Sequence, residues 1–228
     1  MTVRNLNKTE STLDGILEPE YVEFVEIDNI SIDSIYTAAE AIFQKLKSQI
    51  NILVNNSGII VLSKLEYINN GFEIQFGINY FVYFLLFEFL KPALFASASS
   101  ELSSRIVNLF SSVYYIVSIN KSSDYNFQKT EYNNWILYRQ SKTANIYISN
   151  KIERYYGSRE LHTTSIYPGI IATELIQYID SAILELFKKN YGPERRNLDS
   201  PSPLSGMLYY ISRDGFDLEE SSLSYALC

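Results

Sequence analysis

The sequence predicts an α/β protein with a parallel, doubly wound sheet, and three observations carry that prediction. Short apolar, β-branched runs at 21–27, 50–54, 105–110 and 161–167 alternate with stretches of helical apolar spacing at 31–47, 72–95 and 138–156. Strands that alternate with helices argue for βαβ crossovers and hence parallel pairing. Each strand run also stops in polar or turn-forming residues: Asp28, Asn55 to Gly58, Ser111 with Ser112, and Pro168 with Gly169. Ligands of such sheets bind beyond the carboxyl ends of the strands. Finally, 228 residues with 46% apolar content suffice for one sizeable core.

Met1 to Asp14 is polar and charged, without the apolar core of a secretion signal. Tyr21 to Ile27 alternates as a short strand, with Asp28 at its end. Ser31 to Lys47 places Ile35, Ala38, Ala39, Ile42, Phe43 and Leu46 on one helical side, with Ser31 or Asp33 available as a cap. Ile50 to Val54 is a buried-strand run. Phe72 to Phe95 reads as a long apolar helix, and its most membrane-like part, Phe76 to Phe95, is interrupted by Asn79, Glu88 and Lys91, with Pro92 following. A span needs about 20 mostly apolar residues with few charges, so this stretch reads as a buried or interface helix and no transmembrane segment is expected. A third strand follows at Arg105 to Phe110, then a helix from Tyr138 to Tyr156 and a strand from Leu161 to Tyr167. Glu174 to Asn190 has helical spacing through Leu175, Ile179, Ile183, Leu184 and Phe187; Pro193 to Pro203 is loop-like, and Leu218 to Cys228 reads as a frayed tail.

Composition removes several function classes. The net charge is −7, with no basic cluster beyond Arg195 and Arg196, which argues against nucleic acid and anionic membranes as partners. The one cysteine, Cys228, permits no internal disulfide and fits a reducing, cytoplasmic setting. His162 is the one histidine, so neither a His/Cys metal site nor a Ser-His-Asp triad has its parts.

The chemistry concentrates on Tyr138 and Lys142. Residues four apart stack on one helix face, so the ammonium can lie near the phenol. A nearby cation is expected to lower the tyrosine pKa from about 10 toward working pH, making Tyr138 a candidate acid or base for a carbonyl/alcohol pair. Spacing alone does not choose it, since Tyr125 with Lys129 and Tyr147 with Lys151 repeat the pattern. Tyr125 follows a turn-forming run and Tyr147 lies mid-helix, whereas Tyr138 is expected to open a long helix.

Taken together, these residues resemble the short-chain dehydrogenase/reductase superfamily, whose sheet is Rossmann-like, over roughly Arg4 to Leu175. The long stretch between Ser112 and Tyr138 is similar to the retinol-dehydrogenase-like and WW-domain-oxidoreductase-like branch. Asn55-Asn56-Ser57-Gly58 resembles the family's Asn-Asn-Ala-Gly after its fourth strand, beside the cofactor. Asn79 matches the helix asparagine of a proton relay, Ser112 the serine that holds the reacting oxygen, and Tyr138 with Lys142 the acid/base pair. Pro168-Gly169-Ile170-Ile171-Ala172-Thr173 resembles the turn near the nicotinamide carboxamide. The 30 residues from Tyr138 to Pro168 hold one helix and one strand, as the family plan requires, which favours Tyr138 over Tyr125.

The resemblance implies an oxidoreductase interconverting a lipophilic alcohol and carbonyl, such as a retinoid, steroid or aldehyde, with NADP(H) or NAD(H). The implied catalytic residues are Ser112, Tyr138, Lys142 and Asn79. The implied cofactor contacts are Arg4, Asp28, Asn55, Ser57, Gly58, Tyr138, Lys142, Pro168, Gly169, Ile171 and Thr173. Arg4 either meets the 2′-phosphate of NADP(H) or is a solvated arginine; Asp28 accepts from the adenine amino group. One departure stands out: no strand with the family's Gly-rich pyrophosphate turn is found, although the family places its first strand mid-sheet, between the second and fourth. The expectation is therefore a single, incomplete dehydrogenase domain over 1–228. Within it, 174–228 forms a substrate-lid helix and a poorly defined tail, and homodimerisation is possible. The alternative is a non-catalytic relative that cannot hold dinucleotide and acts as a binding or dimerising module.

Overall fold

The structure, a computed structural model, describes residues 1–13, 21–60, 62–111, 124–168 and 181, and the backbone of 225–227. Its elements run β1 (Thr2–Val3), α1 (Leu6–Leu13), β2 (Val25–Glu26), α2 (Ile32–Lys45), β3 (Ile52–Asn55), α3 (Ile74–Phe76), a π-helical segment (Gly77–Phe81), α4 (Val82–Ser97), β4 (Ser104–Leu109), α5 (Asn134–Tyr156), β5 (Leu161–Ile166) and β6 (Tyr225–Leu227). The described strands pair in parallel: β1 with β2, and a four-stranded sheet in the order β5-β4-β3-β6. This is the expected α/β architecture, with strand order produced by helical crossovers.

Alternation along the strands divides the core between two faces of the sheet. Leu53, Ile106 and Leu161 join Ile35, Ala38 and Ile42 of α2, Leu86, Leu90 and Leu94 of α4, and Ile148 and Ile152 of α5 in one apolar cluster. Ile52, Val54, Val107 and Leu109 form a second cluster on the opposite face. Each such side chain taken from water contributes about 1.5–3 kcal/mol. The 24 residues Ile74–Ser97 are long and apolar enough to cross a bilayer by length and composition. Their buried residues from Val82 to Leu94 nevertheless pack into the protein core.

Helix ends explain several boundaries. Ser31 caps α2 by accepting from the Ser34 N–H, and Asn133 caps α5 by accepting from the Ile136 N–H at 3.0 Å. That asparagine starts α5 one turn earlier than the sequence suggests, so Tyr138 lies in its second turn rather than opening it. Sequence patterning also misses α1, a helix with no buried residue, and the strand within the C-terminal tail. The lid helix expected at 174–190 lies outside the described residues, apart from residue 181.

Candidate active site

The site forms where β3, β4 and β5 end, against the buried face of α5. Behind it, buried polar side chains link sheet to helix. Asn55 Nδ2 donates to Asn108 Oδ1 at 2.7 Å, Asn108 Nδ2 to Ser149 Oγ at 2.9 Å, and Ser149 Oγ to the Asn145 carbonyl at 2.8 Å. Ser165 Oγ of β5 joins through Ser149 at 2.8 Å. Networks of this kind fix geometry because an unmade bond in the interior is costly.

Asn79 is placed by the π-helical segment. Widened helical turns change which backbone carbonyls are satisfied within the helix and often mark functional positions. The Asn79 carbonyl accepts from Asn145 Nδ2 at 2.9 Å, and the same Nδ2 reaches the Leu109 carbonyl at 3.0 Å. The Asn79 side chain clasps the turn after β3: Oδ1 accepts from the Ile59 N–H at 2.8 Å, while Nδ2 donates to the Ile59 carbonyl and to Ser141 Oγ, each at 3.0 Å. Before this segment, Glu73 caps α3 by accepting from the Phe76 N–H at 2.8 Å, and Gln75 Nε2 reaches the Asn134 carbonyl at 3.2 Å. These bonds tie the segment bearing Asn79 to the start of the helix bearing Tyr138. Burial pushes the Glu73 carboxyl above its ordinary range.

Gly58 sits where a side chain has little room. A Cβ there would lie 3.2 Å from Asn79 Oδ1 and 3.3 Å from Lys142 Nζ. Gly58, Asn79 and Lys142 therefore converge, as the sequence suggests. Ser57 offers its carbonyl to the Tyr83 hydroxyl. Lys142 is buried, with a 3.5 Å contact to the Leu109 carbonyl, and desolvation pushes its ammonium down to about 8.

Tyr138 departs from expectation in its electrostatics. Its phenol is pushed above the ordinary tyrosine value, chiefly by burial; a hydrogen bond with the Ser111 side chain works the other way, and Tyr167 adds to the rise. The expected lowering by Lys142 is therefore corrected: burial raises the phenol, and the influence opposing it is the Ser111 hydrogen bond. The two rival tyrosines are exposed, Tyr125 by 46% and Tyr147 by 58%.

Among the described residues, Ser111 hydrogen-bonds with Tyr138; Ser112, the serine that the sequence pointed to, lies outside them. Asn145 and Tyr167 were also not singled out as site residues. A polar residue on the buried face of α5, one turn beyond Lys142, was the available signal for Asn145. Of the remaining candidates, Arg4 is exposed beyond β1 and Asp28 is half-buried beyond β2, where Asp28 Oδ1 accepts from the Ile30 N–H at 3.2 Å. Pro168 follows β5; Gly169, Ile171 and Thr173 lie outside the described residues.

The arrangement is a rim of buried polar groups around a tyrosine, a lysine and a serine. A family model described as short chain dehydrogenase matches residues 1–183. The chain belongs to the short chain dehydrogenase family. Within that family it is 40% identical over 183 residues to the short-chain dehydrogenase/reductase prx1 of Penicillium rubens, covering 80% of this chain and 53% of that protein. It is 30% identical over 178 residues to human retinol dehydrogenase 13, covering 77% and 52%. The chain thus spans about half the length of the curated relatives it matches. Among solved structures, the Pseudomonas aeruginosa RhlG/NADP active-site complex superposes with a TM-score of 0.67 at 21% identity, over 99% of this chain and 82% of that one.

Proposed function

We propose that this chain carries the proton-transfer half of an NADP(H)- or NAD(H)-dependent oxidoreductase that interconverts a lipophilic alcohol and its carbonyl. The observation that carries the reading is the half-buried Tyr138, whose phenol hydrogen-bonds with the Ser111 side chain, on the helix that also delivers Lys142 to the Asn55–Gly58 turn. The residues present suit a dinucleotide. The missing Cβ of Gly58 leaves room beside Lys142, and the buried atoms Asn55 Oδ1, Asn145 Oδ1 and the Tyr167 hydroxyl have no partner among the described residues.

Lys142 and the Asn55–Gly58 turn would hold the nicotinamide ribose end. Asp28 and Arg4 would face the adenosine end, and Pro168 with Gly169, Ile171 and Thr173 would face the carboxamide. Arg4 would favour the 2′-phosphate of NADP(H). When bound, the nicotinamide supplies or accepts hydride.

The protein's own task is the proton. A phenol held above its ordinary pKa remains protonated at neutral pH, so Tyr138 serves first as an acid, donating to the oxygen of a carbonyl being reduced. Ser111 orients that oxygen and stabilises the phenolate left behind. Lys142, cationic below about 8, favours the phenolate as it forms. Asn79 and Asn145 keep Lys142, Ser141 and the β4 end in register. The names of two relatives, human retinol dehydrogenase 13 and human polyprenol dehydrogenase, support a lipophilic alcohol class.

The test is a titration of the purified chain with NADPH and with NADH, followed by nucleotide fluorescence. A panel of retinoid, steroid and long-chain aldehydes is then scored for nucleotide consumption. Micromolar binding with turnover of a lipophilic carbonyl is expected. Absence of binding at millimolar nucleotide would overturn the reading and leave a non-catalytic family member.

A further inference from the structure

We propose that Tyr83 is a positioning residue for the dinucleotide: together with Asn79 it holds the turn at 57–59 at two points, and nucleotide affinity depends on its hydroxyl. The inference rests on the reading above, in which that turn borders the nicotinamide ribose. Tyr83 acts through the turn rather than on a ligand, since it is 1% exposed. Its helix neighbours Val82, Leu86 and Phe87 belong to the main apolar core. A phenylalanine would fill the same volume there, so the hydroxyl is the part of the side chain that needs a reason. That hydroxyl donates to the Ser57 carbonyl, as a buried tyrosine O–H requires of some acceptor.

The second point of attachment comes from the same side of the same helix. Asn79 lies in the π-helical segment and Tyr83 four residues on, just inside α4. Residues four apart on a helix share a side. Asn79 Oδ1 accepts from the Ile59 N–H at 2.8 Å and Nδ2 donates to the Ile59 carbonyl at 3.0 Å. The backbone is thus held on both flanks of Gly58, at Ser57 by Tyr83 and at Ile59 by Asn79. Gly58 itself approaches the catalytic lysine: a Cβ there would stand 3.3 Å from Lys142 Nζ. Asn79 Nδ2 also donates to Ser141 Oγ at 3.0 Å, which ties this attachment to α5. With both points made, the spacing between the turn and Lys142 is set before any ligand arrives, and a site ordered in advance loses less freedom on binding. With the Tyr83 hydroxyl removed, Asn79 becomes a single hinge about which the Ser57 end can swing.

The experiment compares Tyr83→Phe with the parent chain in titrations with NADPH and NADH, with folding of each checked by urea unfolding. The variant should raise the Kd of the bound nucleotide about five- to twentyfold. Turnover at saturating nucleotide should stay within about threefold, because Tyr138, Ser111 and Lys142 are untouched. Tyr80→Phe, on the π-helical segment beside it, is the control and should match the parent. Amide exchange at Ile59 reads the attachment with no nucleotide present: it should be slow in the parent and about tenfold faster in Tyr83→Phe. Fast exchange at Ile59 in the unaltered chain overturns the proposal whether or not the variant folds. Equal nucleotide affinity of parent and Tyr83→Phe overturns it and leaves the proposed function standing, whereas a parent that binds neither nucleotide overturns both.

Discussion

Around Tyr138, β3, β4, β5, the π-helical segment and α5 are tied together by side-chain hydrogen bonds, whereas β1 and β2 meet in a ladder of two residues each. Val25 and Ile27 add apolar contact with the main core, and Lys45 of α2 reaches Glu23 at 2.6 Å on the surface. The first region holds a lysine and several amide groups in the interior at an electrostatic cost. The second relies on burial, with its charges left in solvent. The difference teaches that the polar interior is directed at a task rather than at stability, since apolar residues of the same volume would fold at least as well.

Lys142→Met presses hardest on that contrast. Moving the ammonium from 10.5 to about 8 corresponds to roughly 3 kcal/mol of destabilisation at neutral pH, by the ~1.4 kcal/mol attached to each pH unit. The sign follows from proton binding: between about 8 and 10.5 the unfolded chain holds a proton that the folded chain does not. Unfolding free energy of the parent should therefore rise with pH across this window relative to the variant. Urea unfolding should show the methionine variant more stable at pH 7, with the advantage shrinking toward pH 10, while nucleotide binding weakens.

Asn145→Ala attacks the joint between the π-helical segment, β4 and α5. Losing the bonds to Asn79 and Leu109 should cost about 2–4 kcal/mol, because two buried carbonyls each lose an amide donor. Urea unfolding measures it, and a loss under 0.5 kcal/mol would show that the network is dispensable.

The choice of serine gives a smaller effect. Ser111→Ala should lower turnover about 10- to 100-fold and raise the apparent pKa of the acid step, whereas Ser112→Ala should change turnover less than about threefold. Kinetic pH profiles of the two variants decide between them. At the other region, Glu23→Gln removes an exposed partner of Lys45 and should shift stability by no more than about 0.5 kcal/mol, an effect that 0.5 M salt should abolish.

The fold was legible because its signals are periodic. Alternating strand and helix runs gave the parallel sheet, and helical spacing put Tyr138 and Lys142 one turn apart on α5. Ser111 was passed over because two adjacent serines follow the strand and composition does not distinguish them. The raised Tyr138 pKa was hidden because burial belongs to the assembled site, not to the spacing. The π-helical segment has no signature beyond Asn79 itself, and the Asn133 cap was masked by the surrounding polar run of 131–134. A strand of three residues in a polar tail gives too short a pattern to read, so β6 emerged only with its partner β3.

The most direct test compares Tyr138→Phe with Tyr125→Phe in nucleotide-coupled reduction of a carbonyl that the parent chain turns over, with nucleotide affinity measured alongside. Tyr138→Phe should lose about 10²–10⁴ of the turnover while keeping its affinity, and Tyr125→Phe should match the parent. Loss of activity on changing Tyr125, with Tyr138→Phe still active, would contradict the account.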